Sequence, residues 1–400
     1  MAKRGGGFIG RDGINAPDPA TGVSASGGDA EATVSFTAPT DVGGAAVTGY
    51  RVQSNDGIGA SGSASPITVT GLSNGTSYTF NVWAINPFGW SSPSDASGSV
   101  SPAALTALTF GGNTSGGPIN VINKVSISAL GNAVDYGDMN VTSSQQNAAV
   151  GSSTRAVVSV SFKNDTSYVN ELSYKEFSSS GNTSDFGDLT RTFVQGSAAS
   201  NATRGLFFGG DSSLVIDYIT IGSTGNAIDF GDMSGSGESK RTCACASPTR
   251  ATFFGGDQGS NSTNVIGYVT ISSTGNQNDF GDLLGLTQYA AAFASSTRGV
   301  CGGGTAGYSG LQDVIQYITI ASTGNATDFG DLTASRKIQS AASSNTRGLF
   351  MGGEKTGETY TNEIDYITIN STGNAADFGD LTVSVTAGRG ACSNAHGGLQ

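Results

Sequence analysis

Two kinds of charged residue recur through this chain at even spacing. An aspartate–aromatic–glycine–aspartate element begins at Asp135, Asp185, Asp229, Asp279, Asp328 and Asp377, in steps of 50, 44, 50, 49 and 49 residues by subtraction. An arginine recurs at Arg155, Arg204, Arg250, Arg298 and Arg347, and His396 takes the corresponding place in the last copy. Closely alternating carboxylates are calcium ligands in some loops. Carboxylates matched one to one with guanidinium groups can instead form buried bidentate ion pairs. A group present in every copy serves architecture better than a single active site. We therefore expect Asp–Arg locks, with at least four of the arginines within ion-pair distance of a repeat aspartate, and no metal or other cofactor; calcium is the alternative.

Other chemistry has less to build on. Asp-Phe-Gly is a fragment of the protein kinase signature, but no glycine-rich nucleotide loop or catalytic-loop pattern accompanies it. His396 is the only histidine, so a Ser-His-Asp arrangement would have to use it, and no nucleophile elbow is present. A glycosidase working with two carboxylates leaves no motif and stays open as an alternative. Cys243, Cys245, Cys301 and Cys392 lack paired metal-ligand spacing and read as small buried thiols, Cys243 and Cys245 sharing one face of a strand. No catalytic residue is assigned, and the chain is expected not to be an enzyme.

A period near fifty with strand-like composition signals a propeller or a solenoid. Each copy has four parts. A small-residue segment such as 339–344 is followed by an apolar strand ending in glycines, as in Gly205-Leu206-Phe207-Phe208-Gly209-Gly210. A third strand such as Ile216-Asp217-Tyr218-Ile219-Thr220-Ile221 comes next, and after the turn Ser223-Thr224-Gly225-Asn226 a fourth carries Asp229-Phe230-Gly231-Asp232. Four strands in about fifty residues make one propeller blade. Only Ala, Ser and Gly fit where innermost strands crowd an axis. Residues 391–397 resemble an innermost strand with no blade after it, and residues 105–112 a second strand with no innermost strand before it. Joining the two completes six blades and removes exposed edges. The glycine doublets at Gly111-Gly112, Gly209-Gly210, Gly255-Gly256, Gly302-Gly303 and Gly352-Gly353 resemble kelch repeats; Val160-Ser161 departs from that pattern, and the tryptophan usual in kelch repeats is missing.

Residues 15–102 read as short alternating strands around Thr33–Phe36, Gly49–Val52, Ile67–Val69 and Tyr78–Ala84, with turn clusters such as Asn74-Gly75 between them. Phe36-Thr37-Ala38-Pro39, Thr48-Gly49-Tyr50, Gly71-Leu72-Ser73-Asn74-Gly75-Thr76-Ser77-Tyr78 and the stretch from Ala84 to Ser94 resemble a fibronectin type III domain. The resemblance implies a β-sandwich with Tyr78 as its tyrosine corner and Phe36 in the place of the family's usual tryptophan. If Tyr78, Phe80, Val82 and Ala84 point inward, Trp83 points outward. With Phe88 and Trp90 close by, it makes a candidate interface.

The whole chain of 400 residues is thus expected to be all-β: an arm over 1–14, a fibronectin type III-like sandwich over 15–102, and a six-bladed kelch-like propeller over 103–400 closed by its C-terminal strand. The arm carries Lys3, Arg4 and Arg11 beside three glycines and is expected to dock on a partner, anchored by Phe8 and Ile9. A net charge of −12 repels phosphate backbones and anionic bilayers, which argues against nucleic acid and membrane surfaces. No apolar run of bilayer length occurs, and the first residues hold too short an apolar stretch for a secretory signal. The loops over 211–215, 257–265, 304–314 and 354–363 differ most between copies, and Tyr308 and Tyr360 are candidates for receptor binding there.

The start Arg4-Gly5-Gly6-Gly7-Phe8-Ile9-Gly10 and repeats such as 371–382 (STGNAADFGDLT) resemble tail-fibre and virion-surface proteins of tailed bacteriophages, particularly cyanophages. That resemblance implies a structural virion protein assembled in the host cytoplasm, homo-oligomeric in the particle. Its partners would be tail, adaptor, nozzle or capsid chains, with a host-surface glycan or protein as receptor. Alternatives are a capsid-decorating or vertex protein and a glycan-degrading tailspike-type enzyme.

Overall fold

The computed structural model describes residues 15–399 except 145–146, 165, 211–212, 236, 238, 260, 308, 338–339, 358 and 386–389. Lys3, Arg4, Phe8, Ile9, Arg11 and Tyr308 therefore lie outside the described residues. The chain forms two compact units that divide between Leu105 and Thr106. Both are built from strands, and the single 3-10 turn among the described residues is Gly397–Leu399. Among the described residues no helix is long and apolar enough to cross a membrane.

Among its described residues the first unit has seven strands: β1 (Thr21–Gly27), β2 (Glu31–Thr37), β3 (Gly49–Ser54), β4 (Gly59–Gly62), β5 (Ile67–Thr70), β6 (Phe80–Asn86) and β7 (Gly89–Trp90). They form sheets ordered β1-β2-β5 and β4-β3-β6-β7. Alternate residues of each strand enter one core: Ala32, Val34 and Phe36 from β2, Tyr50 and Val52 from β3, and Phe80, Val82 and Ala84 from β6. Removing each large side chain from water contributes on the order of 2 kcal/mol. Phe36 fills its site by packing on Tyr50, with ring centroids 4.7 Å apart.

The second unit repeats one four-strand plan six times. Sheet two is Ala149–Gly151, Arg155–Ser159, Glu171–Glu176 and Ser184–Asp188; sheet three is Ser197–Ser200, Arg204–Phe208, Val215–Thr220 and Ile228–Asp232. Sheet four is Cys243–Ala246, Arg250–Phe254, Val265–Thr270 and Asn278–Asp282; sheet five is Ala291–Ala294, Arg298–Gly302, Val314–Thr319 and Thr327–Asp331. Sheet six is Ser340–Ser343, Arg347–Lys355, Thr359–Thr368 and Ala376–Val385, with the short strand Arg336–Lys337 added. Sheet one draws on both ends of the unit. Its first strand is Gly390–Ser393, followed by Thr106–Thr114, Gly117–Ser126 and Val134–Asp138. The pairing sets Gly390 opposite Phe110 and Ser393 opposite Ala107.

The small-residue first strands lie next to one another in the order two, three, four, five, six, one, and that of sheet one also meets that of sheet two. Serine hydroxyls sew several of these contacts: Ser200 donates to the Gly151 carbonyl at 2.9 Å and Ser343 to that of Ala294 at 2.8 Å. Large side chains sit between sheets, as where Phe208 meets Phe253 and Phe293 meets Phe350.

Candidate functional site

The fourth strands hold the repeated element, and a β-bulge decides what it does. In every sheet the register slips at the aromatic residue, so that Tyr136, Phe186, Phe230, Phe280, Phe329 and Phe378 have no opposite number on the third strand. Bulges re-aim side chains. Here the five phenylalanines turn inward and are buried, while the aspartate before each aromatic faces solvent. Asp135 and Asp229 accept the backbone N–H of Gly137 and Gly231, closing a local turn over the bulge.

The rest of the element clasps the next sheet. Between sheets four and five, Gly324 N–H donates to the Phe280 carbonyl at 2.8 Å and Ala326 N–H to that of Asp282 at 2.8 Å. Asp282 N–H in return donates to the Asn325 side-chain oxygen at 3.0 Å. The same three bonds recur at all six junctions, the last from sheet six to Gly131, Asn132 and Ala133 of sheet one. The glycine of the element is obligatory. At Gly281 φ is +147°, and an added Cβ would lie 2.5 Å from the Gly324 carbonyl oxygen.

The arginines do not form the expected locks. Arg155, Arg204, Arg250, Arg298 and Arg347 pair with none of the repeat aspartates, because the bulge turns those carboxylates to solvent. Each guanidinium lies over the tyrosine of its own third strand, at 4.2 Å from the ring centroid for Arg250 on Tyr268 and Arg298 on Tyr317. Its Nη1 then donates to a carbonyl of the next sheet: Arg250 to Ile320 and Arg298 to Ile369, both at 2.7 Å. Arg347 reaches Ile127 of sheet one at 2.7 Å. Among the described residues Arg155 alone of the five adds a carboxylate, Glu176, at 2.7 Å.

His396 is not the sixth member of this series. Ser393 aligns with Ser343 through their partners Ala107 and Gly348, so the closing strand runs one residue out of step with the expectation. The arginine position of sheet one is Thr106, whose N–H donates to the Asn394 side chain at 2.8 Å, as Arg347 N–H does to Ser344 at 3.1 Å. Two further positions change with it. Lys124 stands where the other sheets have tyrosine, opposite Leu108 as Tyr366 is opposite Leu349. Tyr136 stands for phenylalanine, and its hydroxyl donates to the Phe177 carbonyl at 2.8 Å. Lys124 and Lys175 cover its ring at 4.7 and 4.9 Å.

His396 itself belongs to a turn, 394–399, laid across the ends of the first strands. Its Nε2–H donates to the Gly151 carbonyl at 2.9 Å, and its Nδ1 accepts Gly398 N–H at 3.2 Å. Burial pushes its pKa down to about 4, because charging the ring costs solvation and places a proton on the nitrogen already accepting a bond. Gly397 and Gly398 pack so closely that a Cβ would fall 2.1 Å from the Ser295 carbonyl and 2.0 Å from that of Ser200. Behind this turn is a cavity of about 50 Å³ lined by alanines, Cys245, Cys392 and His396. All four cysteines are free and buried. Among the described residues no group of three or more His, Cys, Asp or Glu side chains could hold a metal ion.

Buried ion pairs do exist, at positions not anticipated from the sequence. Arg191 pairs with Asp217, Arg241 with Asp257, and Arg336 with Asp365 at 3.0 Å and Glu363 at 3.1 Å. Arg336 is wholly enclosed. The signal was present in the third strands, where Asp217 and Asp365 stand between apolar neighbours; a carboxylate held there must find a partner.

In the first unit the Tyr78 hydroxyl accepts the Ser73 N–H at 2.9 Å, the geometry of a tyrosine corner. Trp83 is half-buried on the outer side of β6, whereas Phe88 and Trp90 are 46% and 52% exposed. Tyr360 is half-buried in a long strand, paired with Glu354, rather than on a free loop.

The fibronectin type III domain family matches residues 17–99, so the first unit carries a domain of that family. The rest of the chain is all-β by its own strands. No curated protein matches the chain.

Proposed function

We propose that this chain is a non-enzymatic structural protein of a bacteriophage tail or tail fibre, held in the virion through its N-terminal part. Residues 106–400 would form a six-bladed kelch-like propeller, closed by the C-terminal strand and displayed for attachment to a host-surface glycan or protein. The observation that carries the reading is the fate of the repeated polar groups. The backbone of the Asp-aromatic-Gly-Asp elements and the five arginines are engaged in joining sheet to sheet, including sheet six to sheet one, while the first aspartate of each element stays exposed. Such a unit suits a rigid platform. Phe88 and Trp90 suit a partner interface, since large exposed aromatics are costly to leave wet.

Antibody raised against the purified chain and applied to intact virions tests the placement. Label at the tail supports the reading; label confined to the capsid replaces it with a decorating or vertex role. Incubation of the chain with host polysaccharide tests the absence of catalysis, and release of shortened fragments would overturn that part.

A further inference from the structure

Cys243 opens the first strand of sheet four, and Cys301 lies in the second strand of sheet five. Their Sγ atoms are 3.4 Å apart, in contact across the junction between two sheets and within one apolar cluster. A disulfide needs the sulfurs at about 2 Å, so the remaining distance is within reach of small side-chain rotations. Neither of the other cysteines is so placed: the Cys245 thiol contacts the Thr252 hydroxyl at 3.4 Å, and Cys392 lies in the first strand of sheet one.

Access is asymmetric. Cys243 lines a polar-walled cavity of about 80 Å³ between the starts of the first strands, together with Asn147, Ser197, Thr242 and Ser340. That volume admits a water-sized oxidant. Cys301 sits behind Cys243 and does not line the cavity.

We propose that Cys243 and Cys301 are a disulfide-forming pair, a covalent modification site that staples sheet four to sheet five under a peroxide-class oxidant. In the first step the Cys243 sulfur attacks one peroxide oxygen. The S–O bond forms, the O–O bond breaks, the thiol proton goes to the departing oxygen, and water leaves. In the second step the Cys301 sulfur attacks the Cys243 sulfenic acid; the S–S bond forms, the S–O bond breaks, and a second water leaves with the Cys301 proton. Two thiols are oxidised and one peroxide is reduced to two waters. Burial raises the Cys243 thiol pKa well above its ordinary value, so the reaction is slow at neutral pH. The consequence is a chain that assembles reduced and tightens once exposed to oxidant. The inference stands on this thiol geometry and does not depend on the display reading.

The folded full-length protein is incubated with hydrogen peroxide, denatured, alkylated and mapped without reduction. Cys243 and Cys245 share one tryptic peptide, so the Cys245→Ser variant is mapped alongside. The expected result is a Cys243–Cys301 cross-link in both proteins, with Cys392 still alkylated and Tm raised by about 5 °C until dithiothreitol is added. Cys301→Ser should show neither the link nor the shift. Recovery of all four thiols alkylated, or loss of the link in Cys245→Ser, would overturn the proposal.

Discussion

The Tyr136 hydroxyl donates to the Phe177 carbonyl at 2.8 Å, and so does at the junction of sheets one and two what an arginine does at the other five. Three positions differ together in sheet one: Thr106 for arginine, Lys124 for tyrosine, Tyr136 for phenylalanine. The donor has moved from the second strand to the fourth, and the cation from the second strand to the third. The acceptor carbonyl and the cation over an aromatic ring are both kept.

That exchange predicts strong coupling. Tyr136→Phe should cost about 1–2 kcal/mol by leaving the Phe177 carbonyl without its phenol donor. Adding Thr106→Arg and Lys124→Tyr should recover much of the loss, with an interaction energy on the order of 1 kcal/mol or more. Urea denaturation of the single and triple variants measures it; strictly additive losses would show the three positions to be independent.

The clasp glycines predict a second contrast. Gly281→Ala forces a Cβ against the Gly324 backbone at a φ of +147°, and should destabilise by more than about 2 kcal/mol. Gly285→Ala, three residues past the element and with nothing within 4 Å, should be nearly neutral. Thermal melts of the two variants decide the matter.

Arg336 tests the buried pairs. Arg336→Ala leaves Asp365 enclosed without its cation and should cost about 3–5 kcal/mol. Replacing both, as Arg336→Met with Asp365→Leu, should be far milder, because no uncompensated charge is left behind. Equal losses in the two proteins would mean that packing, rather than charge, sets the cost.

The histidine gives a pH dependence with a definite sign. The folded-state pKa of His396 is about 4 and the unfolded value near 6.5, so the unfolded chain binds the proton first. The contribution is therefore whole above pH 6.5, falls as pH drops from 6.5 to 4, and is flat below. Its size is on the order of 1–3 kcal/mol, reduced from the full shift because the residue is half-buried. The difference in stability between the parent and His396→Gln, measured across this window, should shrink toward acid.

Much of this arrangement was legible because strands announce themselves by alternation. Phe80, Val82 and Ala84 are buried as period two requires, Tyr78 forms its corner, and the stretch near residue 391 pairs with the stretch near residue 108. The Asp–Arg locks failed for a reason outside residue types. Spacing shows that Asp279 and Arg298 recur together, but not that a bulge at Phe280 turns the aspartate outward. The true acceptors, carbonyls such as those of Ile320 and Ile369, carry no signature in any side chain. His396 falls outside the arginine series because the closing strand runs one residue out of step and the arginine position of sheet one is Thr106, with no arginine to mark it. Arg191 and Arg336 fall in stretches of variable length, where repeat alignment has no hold.

The pairing of residues 390–393 with 107–110 also has a consequence for synthesis. A ribosome must make nearly the whole second unit before the strand at Thr106–Thr114 can meet its missing neighbour. Until then a nascent chain presents a naked backbone margin, open to chaperones or to another copy. Any product halted earlier keeps that margin, so proofreading for length is built into the hydrogen-bond pattern itself.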